Sequence, residues 1–154
     1  MKAVVQRVAR AAVRVGGQTL GEIGRGLLVL LGIGKTDTEA DIQWMIGKLL
    51  ALRIFPDEAG KMNRSVTDIQ GALLIVSQFT LYGTLEKGTR PSFSDAMAPA
   101  EAEKFYNEFM RRLRAATALQ VEEGRFAAMM EVELVNDGPV TIVLSTPARQ
   151  SITF

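Results

Sequence analysis

The chain has 154 residues, 47% apolar, 23% charged and 6% aromatic, and its 18 basic residues against 17 acidic ones leave a net charge of +1. That length fills one compact domain, spanning 1–154, and is too short for two. A charge so balanced excludes a general nucleic-acid coat or a membrane-surface binder. Cysteine and histidine are both absent. Disulfides, thiolate nucleophiles, Ser-His-Asp triads and Cys- or His-ligated zinc are thereby removed. Any catalysis rests on carboxylates, hydroxyls, backbone dipoles or a group that the substrate brings. The opening Met1–Arg7 holds no apolar stretch suited to a signal peptide, and the greasiest run, Leu27–Ile33, is far short of a membrane span. The expectation is a soluble, cytoplasmic protein without a membrane partner.

Lys2–Val8 is Val-rich and reads as a strand. Ala12–Val15 and Gln18–Ile23 flank Gly16-Gly17, a dipeptide that accepts the positive φ angles of a tight hairpin. After a turn at Gly24-Arg25-Gly26, Leu27–Gly32 is continuously apolar and suits a central strand covered on both faces. Thr36 and Glu39 have the spacing of a capping box, and Ile42, Met45, Ile46, Leu49 and Leu50 then repeat with helical period, predicting a helix over about 38–52. Pro56–Gly60 is a turn, Ala72–Leu81 a second apolar strand, and Gly83–Pro91 a loop. Pro99 suits a helix's first turn, and Ala102, Phe105, Phe109 and Leu113 share one face of a second helix over about 99–117. Val121–Phe126, Met129–Val135 and Val140–Ser145 complete the predicted strands. The pattern is α+β: antiparallel and mixed sheet in a barrel-like, layered β/β/α arrangement with two main amphipathic helices.

Three polar clusters do not fit a core. Ser77-Gln78-Phe79-Thr80 closes an apolar strand, where an unpaired buried polar group costs about 1–3 kcal/mol. These side chains either alternate toward solvent and neighbouring backbone or form a site. Asn136-Asp137-Gly138-Pro139-Val140-Thr141 reads by itself as a turn between two strands. Arg90-Pro91-Ser92-Phe93 offers an arginine for a phosphate and a ring for a base; equally, Phe93 is core and Arg90 solvated. Lys104, Arg111, Arg112 and Arg114 give the second helix a basic patch, most simply a solvated face. Asp37, Glu39 and Asp41 are scattered carboxylates that suit a helix N-terminus and make no evident metal site.

Together these pieces resemble one family. Gln6-Arg7-Val8, Ser77-Gln78-Phe79-Thr80-Leu81-Tyr82, Arg90-Pro91-Ser92-Phe93-Ser94 and Asn136–Thr141 stand in the order and spacing of the D-aminoacyl-tRNA deacylases. Lys61-Met62-Asn63 and Gly124-Arg125-Phe126 add to the likeness, which covers about residues 1–145. Two departures are visible: Gly83-Thr84-Leu85-Glu86, where the family often has Gly-Asp, and a longer tail, Thr146–Phe154.

The resemblance implies hydrolysis of the ester joining a D-amino acid to the 3′ end of tRNA, by a homodimer with sites at the subunit boundary, without cofactor, metal or DNA. Ser77, Gln78, Phe79 and Thr80 would form the catalytic segment, and Arg7, Arg90, Phe93, Gly138 and Pro139 would bind substrate. A Gly138-cisPro139 pair from the partner subunit would wall off L side chains; glycine, having none, would pass. Water would be activated with help from the 2′-hydroxyl of the terminal adenosine. A general acyl esterase with Thr80 as nucleophile, or an RNA-binding module without chemistry, are the alternatives. Arg7 either supports the Gly138-Pro139 turn through its carbonyls or is an ordinary strand residue.

Overall fold

The apolar run after Arg25 forms a central strand, covered on both faces as its lack of alternation predicts. The computed structural model describes residues 1–148. Its strands are β1 (Lys2–Val15), β2 (Gln18–Ile23), β3 (Gly26–Gly32), β4 (Phe55–Pro56), β5 (Met62–Arg64), β6 (Ala72–Ser77), β7 (Val121–Glu123) and β8 (Glu131–Ser145); its helices are α1 (Glu39–Ala51) and α2 (Pro99–Ala116). Leu27, Val29 and Leu31 of β3 join Ile42, Met45 and Leu49 of α1 and Tyr106, Phe109 and Leu113 of α2 in one core. Leu28 joins Val8, Val13, Ile23, Leu74 and Val76 on the opposite face. Each face of the sheet therefore has its own apolar cluster.

Lys2–Val8 of β1 pairs antiparallel with β3, and Ala11–Val15 pairs with β2. β3–β6 and β6–β7 are parallel. Parallel neighbours need long crossovers, and α1 and α2 lie within the two crossover segments. Gly21 of β2 sits so near β7 that a Cβ would lie 3.1 Å from Glu123 O. The Gln120 amide donates to Glu22 O at 3.1 Å beside it. The sheet thus curls almost into a barrel, with both helices packed outside it.

Several predicted boundaries shift. The capping box is Thr38 with Asp41, not Thr36 with Glu39: the Thr38 N–H donates to the Asp41 carboxylate at 2.7 Å. Asp37 is occupied elsewhere, by the Met1 ammonium and by the Gly34 N–H at 2.6 Å. Glu39 pairs with Arg112 of α2 at 2.9 Å. The predicted strand Ala72–Leu81 stops at Ser77, and Phe79–Tyr82 forms one 3-10 turn. Lys2–Val8 and Ala12–Val15 are a single strand, and the strand predicted over Val121–Phe126 stops at Glu123.

The largest correction concerns Asn136–Thr141, which does not separate two strands but lies within β8. Along β1, Gln6 faces Thr141 and Val8 faces Asn136, so five steps of β8 oppose two of β1. The excess backbone bulges out opposite Arg7. A long partner strand on β1 keeps both flanks in register, and for that reason the interruption does not reverse the chain. Residues 149–154, including most of the tail noted above, lie outside the described residues.

Candidate active site

The 79–82 turn begins where β6 can no longer continue as sheet. Gln78 has φ −144° and ψ 77°, and the Leu81 N–H reaches back to Gln78 O at 3.3 Å. Phe79 and Thr80 thus stand exposed at the end of a buried strand, 58% exposed in the case of Phe79. Being the first residues of a helical turn, their N–H groups have no acceptor within it. The Gln78 amide donates to Thr80 Oγ1. Phe79 meets Phe93 edge-to-face, ring centres 5.0 Å apart and planes at 70°.

These residues line a cavity of about 800 Å³. Its floor is Val76–Thr80, one wall is Phe93 with Ala96–Pro99 and Ala102, and the other is Phe126–Met130 with Val132. Such a volume suits a small organic group. No carboxylate and no cationic side chain lines it. Ser77, Gln78, Phe79, Thr80 and Phe93 are thus brought together, whereas Arg90 is exposed and does not line the cavity. Sequence reading missed Met97, Met129 and Met130. The small, apolar segment Ala127-Ala128-Met129-Met130 was the available signal, but it reads as a strand start. Met129 is 91% exposed at the cavity's edge, a position with no explanation in core packing.

A second cluster forms on the β8 bulge. The Gly138–Pro139 peptide is cis, and Gly138 has φ 137°. A Cβ on Gly138 would lie 2.8 Å from Val140 Cγ2 and 3.1 Å from Arg7 Nη2, so conformation and space both require glycine there. Asn136 Oδ1 accepts from the Val140 N–H at 2.9 Å and its amide donates to Thr141 Oγ1 at 3.1 Å, closing the neck of the bulge. Arg7 Nε donates to Asp137 O at 2.9 Å and Nη1 to Ile54 O at 2.7 Å, with its side chain only 11% exposed. The guanidinium thus ties the bulge to the start of the β4–β5 hairpin. Gly138 and Pro139 are exposed and do not line their own chain's cavity.

The three arginines of the basic face of α2 are paired with carboxylates. Arg111 and Arg112 both bind Glu108, Arg112 also binds Glu39, and Arg114 binds Glu123 at 2.9 Å. The two guanidiniums hold the Glu108 carboxyl down at about 2. Among the described residues no group of three or more acidic side chains is placed to hold a metal ion. No helix there is long and apolar enough to cross a membrane.

The sequence profile of the D-Tyr-tRNA(Tyr) deacylase family matches residues 4–145. The chain belongs to this family. It is 57% identical over 147 residues to the D-aminoacyl-tRNA deacylase of Myxococcus xanthus, covering 96% of this chain and 95% of that one. It is 53% identical over 150 residues to that of Chloroherpeton thalassium, covering 97% and 99%. Like these relatives, the chain is an enzyme of the hydrolase class. A solved structure described as a c-Myc DNA unwinding element binding protein superposes with TM-score 0.92 at 50% identity, over 96% of this chain and all of that one. A probable eukaryotic D-amino acid tRNA deacylase superposes with TM-score 0.81 at 17% identity, over 93% and 97%, which shows the shared fold.

Proposed function

We propose that the chain cleaves the ester between a D-amino acid and the 3′-terminal adenosine of tRNA, and cleaves glycyl-tRNA as well, with its own nucleotide substrate helping to activate water. The observation that carries the mechanism is the cavity's lining, which offers no acid or base. Thr80 Oγ1 faces the Gln78 side-chain amide. Neither end of a neutral amide takes a hydroxyl proton at pH 7, so Thr80 makes a poor nucleophile. The neighbouring 2′-hydroxyl of the substrate is then the group that orients and polarises the attacking water. The ester C–O bond breaks, the carbonyl carbon keeps the water oxygen, and the 3′ oxygen leaves with a proton. The N–H groups of Phe79 and Thr80 supply the oxyanion donors, an effect worth about 2.7–4 kcal/mol per donor. The Phe79–Phe93 pair offers ring surface for the terminal base, and Arg90 of the adjoining loop a charge for the phosphates behind it.

Handedness needs a second feature beside this cavity. The Gly138–Pro139 bulge is exposed and rigidly tied by Arg7, yet stands outside the cavity of its own chain. A homodimer in which each protomer's bulge closes the other's cavity brings both features together. A main-chain edge there excludes an L side chain by overlap and by stranding its carbonyls, and a penalty of about 4 kcal/mol gives roughly a thousandfold discrimination. Glycine presents nothing to exclude. An aminoacyl-tRNA substrate places this work in the cytoplasm, in translation quality control.

The decisive experiment compares D-tyrosyl-, L-tyrosyl- and glycyl-tRNA with a D-tyrosyl-tRNA ending in 2′-deoxyadenosine, for the wild type and Thr80→Ala. The expected result is turnover of the D and glycyl substrates only, large loss with the deoxy substrate, and much activity kept by Thr80→Ala. Full activity on the deoxy substrate together with an inert Thr80→Ala would establish the nucleophile scheme instead.

A further inference from the structure

Tyr82 ends the 79–82 turn, half-buried and outside the cavity. Its ring lies directly on Gly34: a Cβ built there would sit 2.7 Å from both the ring Cζ and the phenol oxygen. Gly32, earlier on the same segment, is also close but less tight, with a Cβ 3.0 Å from Gln78 O and 3.3 Å from Tyr82 Cδ2. The ring is held from other sides too. The Lys2 ammonium lies 4.7 Å from its centre, and the Asp37 carboxylate that accepts the Gly34 N–H lies beside the phenol. Burial first, and then that carboxylate, push the phenol's pKa up, so it stays neutral.

Gly34 also serves the other side of the cavity. It pairs with Ala96 in an isolated antiparallel bridge made of two bonds, Lys35 N–H to Asp95 O and Met97 N–H to Ile33 O, each 3.0 Å. Ala96 and Met97 line the cavity opposite the turn that Tyr82 ends. One short segment, Ile33–Lys35, therefore supports the cavity's floor through a ring in contact with bare backbone, and the Ala96–Met97 wall through two main-chain hydrogen bonds.

We propose that Tyr82, seated on Gly34, is a positioning residue that sets the separation between the Gln78–Thr80 turn and the Ala96–Met97 wall, and thereby the alignment of the ester for attack. This rests on the site assignment proposed above. No side chain other than glycine's hydrogen at position 34 leaves the ring where it is, and a methyl group there displaces it by about 1 Å. Misplacement on that scale costs about a hundredfold in rate.

The test uses the full-length protein with D-tyrosyl-tRNA, together with fluorophenylalanine labelling, in which the 19F resonances of Phe79 and Phe93 read the wall geometry without substrate. Gly34→Ala is expected to lower kcat about a hundredfold, to leave KM within about threefold and to shift both resonances. Adding Tyr82→Leu, which vacates the space the new methyl needs, is expected to recover about tenfold in kcat. Tyr82→Phe keeps the ring contact and is expected to stay within about threefold of wild type. Should Gly34→Ala fail to fold, Tyr82→Leu alone is expected to shift the same resonances and to lower kcat about tenfold. Unmoved resonances, or equal losses in Gly34→Ala and the double variant, would overturn the proposal. Moved resonances with unchanged kcat overturn its catalytic half and show that the assigned site is not where the ester reacts.

Discussion

Replacing Arg7 by methionine keeps the apolar stem of the side chain and removes the guanidinium, with its donors and its charge. Two main-chain carbonyls lose their partners, Ile54 O at 2.7 Å and Asp137 O at 2.9 Å. Hydrogen bonds from a charged donor contribute about 1.5–3 kcal/mol each. The two losses are unequal. Ile54 is buried, so its carbonyl is left unsatisfied. Asp137 is only partly buried and precedes the exposed Gly138–Pro139 pair, so its carbonyl can turn to water. Its carboxylate, 3.3 Å from Nε, adds little with that side chain 46% exposed. The net cost is about 2–3 kcal/mol, a fall in Tm of about 4–12 °C for a chain of this size. The functional consequence is separate: without its tie to the β4–β5 hairpin, the Gly138–Pro139 bulge loses position. On the proposed role of that edge, loosening it by about 1.4 kcal/mol is expected to reduce the preference for D- over L-tyrosyl-tRNA tenfold. Thermal melts and initial rates on both substrates measure the two effects independently. A lowered Tm with an unchanged D-to-L ratio would show that Arg7 only stabilises the fold, and an unchanged Tm would refute the energetic reasoning itself. Arg7→Lys is expected to recover little of either, because one ammonium cannot span two carbonyls as the guanidinium fork does.

Gly26→Ala is expected to cost at least about 4 kcal/mol, since its Cβ would fall well inside contact distance of the Ala72 carbonyl oxygen across the β3–β6 ladder; denaturant titration against wild type checks this. Glu108 gives a pH signature. Its carboxyl is held at about 2, below the ordinary 4.5, by Arg111 and Arg112. The stability it contributes is therefore complete above about pH 4.5 and is lost as pH falls toward 2. The Tm difference between wild type and Glu108→Gln should stay constant near neutrality, shrink through that acid window, and diminish at 1 M salt, where the Debye length is about 3 Å. A difference that grows on acidification would contradict the sign of this linkage.

The elements whose apolar residues repeat locally were legible from the chain. β3 reads as a doubly covered strand because Leu27–Leu31 are apolar without alternation, and the structure gives its two faces to two clusters. α2 begins at Pro99 and buries Ala102, Phe109 and Leu113, as their spacing predicts. The Ser77–Thr80 and Asn136–Thr141 segments stood out because polar groups and glycine occupied places where burial disfavours them.

What those segments do depended on partners distant in sequence. The capping residue is Thr38, not Thr36: the Asp41 carboxylate reaches the Thr38 N–H, while Glu39 is held by Arg112 of α2. Asn136–Thr141 became a bulge instead of a chain reversal because β1 pairs with β8 on both sides of it. The cavity took one wall from Ala96–Pro99 and another from Phe126–Met130, neither of which carries a periodic signal. Residue type and spacing thus determined which segments bury and which polar groups are out of place. Only the closing of long loops, which brings Arg7 to Asp137 and Tyr82 to Gly34, decided where those polar groups meet, because such contacts leave no period in the sequence that makes them.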